Sequence, residues 1–170
     1  MASQYLNTIP AAQRSLHKSM SFWKELFDIY QHKLQSRRLA SGAGRALVQE
    51  MKTNLCLLAE ALDSPNDSPD LIASLSDSAF MYYCQQGYDF NTFNQQKLTV
   101  STTREIREFN QYLSQSTEDL VYRAYQRIRV LKAFAKSQNA IKSQRRIQSL
   151  LRYHIMLIAH IQGQSLSTSN

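Results

Sequence analysis

Cysteine, proline and glycine are all scarce in this chain of 170 residues: two Cys, three Pro and four Gly. Two thiols cannot build a disulfide framework, nor hold a structural zinc without histidine help. So little Gly and Pro, set against 43% apolar residues, excludes a disordered or collagen-like chain. No run of about 18 apolar residues occurs, so no membrane span is expected. The opening stretch MASQYLNTIPAAQR lacks a basic segment followed by an apolar one, so no secretory leader is expected either. A chain of this length makes one domain over 1–170 the expectation, with 1–9 and 163–170 as loose ends. A basic, cytoplasmic protein is the class that remains.

Acid is also in short supply, and unevenly so. The chain has 20 Lys and Arg against 13 Asp and Glu, a formal net charge of +7. Residues 1–55 hold eight basic and three acidic side chains, whereas 56–100 hold one basic and six acidic. Residues 101–170 hold eleven basic and four acidic, and no acid follows Asp119. Two readings stay open: an anionic partner for the C-terminal part, or pairing of that part with the acidic middle of the same chain.

What the chain has in plenty is helical period. Leu16, Met20, Trp23, Phe27, Tyr30 and Leu34 alternate steps of four and three, an apolar stripe closed at Ser41-Gly42-Ala43-Gly44. Phe22, Leu26 and Ile29 widen it, so this helix needs burial on two sides, inside the bundle or across a dimer interface. Leu47, Met51, Leu55, Leu58 and Leu62 predict a second helix. A turn over 63–70 follows, with Ser68 as N-cap and Pro69 as first helical residue. A third helix is expected from Leu71 to about Gln86, ended by Gly87, then an ordered loop in which Tyr88, Phe90 and Phe93 tuck under the bundle. Thr102 and Glu105 read as a capping box opening one long helix over 102–135. Ile147, Leu150, Leu151, Leu157, Ile158 and Ile161 mark a last one, ended by Gly163. No period-two pattern argues for a sheet. The expected fold is all-α, a single-domain bundle of about five helices, two of them long.

Few residues promise chemistry. The string Tyr82-Tyr83-Cys84-Gln85-Gln86-Gly87-Tyr88 resembles the end of an immunoglobulin light-chain domain, but that fold needs an earlier cysteine on a strand with a tryptophan between. Here Cys56 lies in a helical stripe and Trp23 precedes both thiols. His17 and His32 have no ligand neighbours, and Cys56 and Cys84 sit among apolar residues where a thiol acts as a small hydrophobe. No metal site and no cofactor is expected. An arginine followed by a histidine on a late helix resembles the motif of the HEPN ribonuclease families, in which four to six residues separate the two. Arg146 precedes His154, and Arg152 precedes His160, by eight positions, one residue beyond that motif. Eight positions turn two side chains about 80° apart on a helix. Ile147 and Tyr153 also stand where that family carries a polar residue.

The cations pattern better. On one helix Arg129, Lys132 and Lys136 fall within about 60° of one another, and Arg123 and Arg127 form a second strip. Lys142, Arg145 and Arg146 open the next helix, where positive charge opposes the dipole and so is not placed for helix stability. These eight residues are the candidate surface for an anionic partner. The favoured expectation is a non-enzymatic helical adaptor or regulatory subunit that binds a protein and self-associates. A sequence-nonspecific nucleic-acid binder is the alternative, and a HEPN-like ribonuclease using Arg146 or Arg152 with His154 or His160 the third.

Overall fold

A computed structural model describes residues 42–104, 106–135 and 140–166. The chain divides into two compact units, Met1–Ser36 and Arg37–Asn170, and every described residue belongs to the second. The expected helix ahead of residue 41, with its aromatic stripe, lies outside the described residues, as do Glu105 and Lys136. Every described element is helical, as the periodicity predicts.

The first element, α1 (Gly42–Asp63), forms because its apolar residues recur at helical spacing. Leu47, Met51, Leu55 and Leu58 are at most 1% exposed, and Leu62 only 7%. Gly42 and Gly44 belong to its first turn rather than to a preceding link. Cys56, expected in an apolar setting, is exposed instead. After a short turn comes α2 (Ser68–Ala73), with Asp67 rather than Ser68 in the N-cap position and Pro69 inside the first turn.

The single helix expected over 71–86 is two. Between α2 and α3 (Ser78–Gln85) the chain leaves the helical path, because Ser76 is stitched to α1. Asn54 donates from Nδ2 to the Ser76 carbonyl at 2.7 Å and accepts the Ser76 N–H at 2.8 Å. The Glu50 carboxylate, one turn earlier on α1, accepts from Ser76 Oγ at 2.7 Å and from the Ala79 and Phe80 N–H groups that open α3. Tyr125 Oη donates to the same carboxylate at 2.9 Å. A side chain from another helix thus does what a local cap would do, since Asp77 in the N-cap position makes no cap hydrogen bond. Gly87, at φ +65°, ends α3 as its sequence position predicts.

Phe90 is fully buried, stacked on Phe80, which stacks in turn on Tyr125 at 4.2 Å. The long helix expected over 102–135 is also interrupted. A one-turn helix, α4 (Val100–Thr103), ends at Arg104 in the left-handed region, and a 3₁₀ segment spans Arg107–Tyr112. Ser114 is left-handed as well, at φ +66°. The main chain of Leu98 exchanges hydrogen bonds with Ser114 and Gln115, pinning this crossing. The long helix α5 starts only at Thr117 and runs to Ala135. Its opening is a reciprocal Ser116–Asp119 cap: Ser116 Oγ and N donate to Asp119, and the Asp119 N–H donates back to Ser116 Oγ.

The last helix, α6 (Ala140–Ile161), is the central one among the described residues, packing against both α1 and α5. From Tyr153 to Ile161 every side chain is buried. A helical segment that is apolar all round belongs inside a bundle, and the Ile155-Met156-Leu157-Ile158-Ala159 run makes the C-terminal half of α6 such a segment, while its first half keeps an exposed face with Arg145 and Arg146. Beyond Gly163, Leu166 is 2% exposed and its N–H donates to the Thr102 carbonyl. No described helix is long and apolar enough to cross a membrane.

Candidate anion-binding groove between α5 and α6

The eight expected cations do not share one surface. Arg129 and Lys132 of the first strip reach across to the acidic middle of the chain, Arg129 along an exposed surface. Arg129 Nε lies 3.0 Å from Asp77 Oδ2, with its guanidinium 5.8 Å from the Phe80 ring centre. Lys132 Nζ donates to the Leu75 carbonyl at 2.6 Å. Both residues clamp α5 onto the link between α2 and α3, Arg129 through an acid of the middle region and Lys132 through a backbone carbonyl. Lys136 is outside the described residues, and so is the side chain of Lys142.

The second strip faces α6. Arg127 is half-buried: its guanidinium sits 4.9 Å from the Tyr153 ring centre, and Nη2 donates to Ser149 Oγ at 2.8 Å. Ser149 and Tyr153 are one turn apart on α6, which is why a single arginine meets both. Tyr153 is itself fixed by its hydroxyl donating to the Leu120 carbonyl and by the edge of Tyr112. Arg123, one turn before Arg127, lies over Tyr112 at 5.6 Å. Burial pulls the Arg127 pKa below the usual arginine value, and Arg123 pulls the same way against two tyrosines and Glu108. Among the described residues no carboxylate comes within ion-pair reach of Arg127; the two ion pairs found are Arg129–Asp77 and Arg152–Glu108.

From the facing turn of α6 come Arg145, exposed, and Arg146, whose guanidinium lies 3.7 Å from the Phe134 ring centre. Between these arginines runs a groove of about 280 Å³ whose apolar surface is Val130, Leu131 and Leu150. Leu131 and Leu150 are buried and form its floor; Val130 is 42% exposed. Gln126 and Ser149 complete the lining. The groove contains no His, Cys, Asp or Glu, so it offers guanidinium donors and apolar carbon but no group to take up a proton.

The two histidines of the ribonuclease expectation sit elsewhere. His154 is fully buried; its Nδ1–H donates to the Leu150 carbonyl, and Nε2 is buried without a partner. Burial pushes its pKa down to about 4. His160 is 1% exposed and contacts Thr117 Oγ1 at 3.0 Å. That hydroxyl donates to the Asn94 carbonyl, which leaves His160 Nε2 as the donor to it. Burial lowers the His160 pKa as well. Arg152 pairs with Glu108 at 2.8 Å, and Arg146 lies on Phe134, so each arginine is engaged apart from an imidazole. No group of three or more His, Cys, Asp and Glu side chains comes together among the described residues in a way that would hold a metal ion.

Sequence reasoning missed the pairing partners. Phe134, Ser149 and Tyr153 have ordinary positions in helical stripes, and their roles depend on how α5 meets α6. Glu50 and Asn54 were findable in part, because Asn54 stands seven residues after Leu47, on the apolar face of α1, where a polar residue needs a partner. Comparison of the chain with protein-family models, with curated proteins and with solved structures returns no match in any of the three.

Proposed function

We propose that the chain is a non-enzymatic helical adaptor that holds an acidic segment of a protein partner in the α5–α6 groove. One observation carries this reading: Arg127 is half-buried beside a hydroxyl and a ring, with Glu108 acting on it from a distance and no carboxylate within ion-pair reach among the described residues. A cation withdrawn from water without a counter-ion is costly, and a partner carboxylate arriving there recovers that cost. Arg145 and Arg146 bring two more guanidinium groups to the same opening, and such groups hold carboxylates through paired N–H donors. The apolar floor favours a peptide over a nucleic-acid backbone, which offers sugar and phosphate but no aliphatic side chain. The bonds of Arg129 and Lys132 within the chain weaken the case for a phosphate-tracking stripe, because two of its cations already serve the fold.

The test is binding of a fluorescently labelled peptide with alternating Glu and Leu, followed by anisotropy at low salt. The double variant R145E/R146E is expected to weaken binding by tenfold or more, on the order of 1.4 kcal/mol. Equal binding by parent and variant refutes the reading. A duplex or single-stranded nucleic acid that binds more tightly than the peptide, with a steep salt dependence, would move the assignment to the nucleic-acid alternative.

A further inference from the structure

The groove has a complement on the same molecule. Between α1 and α2 the exposed turn Pro65-Asn66-Asp67 leads into Pro69 and Asp70, which are exposed as well. The turn is stiff: Asp67 N–H donates to the Ser64 carbonyl at 3.1 Å, and the Asp70 and Leu71 N–H groups donate to the Asp67 carbonyl. Asp67 occupies the N-cap position of α2, yet its carboxylate makes no cap hydrogen bond. Neither Asp67 nor Asp70 takes part in an ion pair among the described residues. The exposed Pro69 ring lies between them in sequence. The pattern is therefore acid, apolar ring, acid, and the groove reads arginine, apolar floor, arginine.

We infer that the groove takes the 65–70 turn of a second copy of this chain. This rests on the reading of the groove as a seat for an acidic protein segment, and it names that segment. Charge complementarity is the argument: the turn belongs to a stretch with six acidic side chains and one basic, the groove to a stretch with eleven basic and four acidic. Among the described residues neither Asp67 nor Asp70 forms an ion pair with Arg127, Arg145 or Arg146 of its own chain, which leaves the turn open to the groove of a copy. The proline-braced turn loses little conformational freedom on docking, which favours a weak contact becoming a specific one. A two-fold dimer engages both turn–groove pairs at once, since each copy offers the turn and the groove together.

Complementary charge reversal tests this with the full-length chain, by sedimentation over protein concentrations up to about 1 mM, the weak end of specific association. The parent is expected to self-associate, less so as salt rises. The variants D67R/D70R and R145E/R146E are each expected to weaken association by tenfold or more, because each places like charges together. An equimolar mixture of the two restores it, both pairs being of opposite charge in the mixed dimer, and so does the variant carrying all four changes. Circular dichroism confirms that the variants fold, the changed side chains being exposed. A parent that stays monomeric overturns the inference, as does association unaffected by either reversal or not restored in the mixture. If the labelled acidic peptide still binds such a monomer, the adaptor reading stands without it; if the peptide fails as well, both fall.

Discussion

Glu50 is the residue whose loss the structure prices most sharply. Its carboxylate accepts from Ser76 Oγ at 2.7 Å, from Ala79 N at 2.8 Å, from Tyr125 Oη at 2.9 Å and from Phe80 N at 3.2 Å. Replacing it with alanine leaves the hydroxyl of Tyr125, a fully buried residue, without an acceptor. An orphaned buried donor costs about 1–3 kcal/mol. The start of α3 loses both its cap and a negative charge at the positive end of its dipole, which costs about a further 1–2 kcal/mol. The expected destabilisation of E50A is therefore about 3 kcal/mol. For a folded unit of this size that corresponds to a fall of roughly 10–15 °C in melting temperature. E50Q is expected to lie between E50A and the parent, because its amide nitrogen presents donors to donors. Urea unfolding followed by far-ultraviolet circular dichroism gives the free energies. Y125F alone should cost about 1 kcal/mol, the usual net value of one hydrogen bond. In the E50A background it should cost nothing or stabilise, because the orphaned hydroxyl is then gone. A melting temperature for E50A within a degree or two of the parent would refute the account, and additive single and double variants would refute the coupling.

Two other predictions bear on the core and the turns. His154 keeps a folded pKa of about 4 against an ordinary 6.5; the folded state stays neutral while the unfolded chain takes up a proton. Its contribution to stability is complete above pH 6.5 and falls as the pH drops to 4, by about 3 kcal/mol in all. His160, also lowered, acts in the same direction. The stability difference between the parent and H154L, measured by urea midpoints, should shrink by about that amount across the window; a constant difference would rule the assignment out. At the left-handed positions, Gly87 is at φ +65° with open space around an added Cβ, whereas Arg104 carries a side chain at φ +46°. G87A should then destabilise and R104G stabilise, each by about 1 kcal/mol, and the same sign in both would contradict the backbone assignment.

How much of this was legible depends on the range of the interaction. Periodicity located the buried stripes of α1, α5 and α6, because a helix fixes which residues share a face. Of the apolar stripe that suggests one helix over 102–135, Phe109, Thr117, Leu120, Ala124, Ile128 and Leu131 are buried, whereas Ile106, Leu113 and Ala135 are only half-buried. Their continuity was misleading, since Phe109 and Thr117 belong to different elements. The residues between them offered a warning in Ser114-Gln115-Ser116, short polar side chains that bond their own backbone and open helices. The cap proved to be Ser116 with Asp119, fourteen residues beyond Thr102. The break between α2 and α3 had no local warning, because its cause is Asn54 and Glu50, more than twenty residues earlier.

The charge surface shows the same division between local and distant information. Angular spacing on an ideal helix correctly separated Arg123 and Arg127 from Arg129 and Lys132, since that separation depends only on the turn per residue. Spacing could not say which strip meets a carboxylate. The structure sends one strip to Asp77 and to the Leu75 carbonyl, at the link that Glu50 and Asn54 hold in place. It sends the other to rings and a hydroxyl, which accept a cation's approach without neutralising it. Residues two positions apart on one helix therefore meet different chemistry, a carboxylate for Arg129 and a ring with a hydroxyl for Arg127. Arg129 is tied to the link between α2 and α3, and Arg127 is the cation of the pair on which the proposed docking rests.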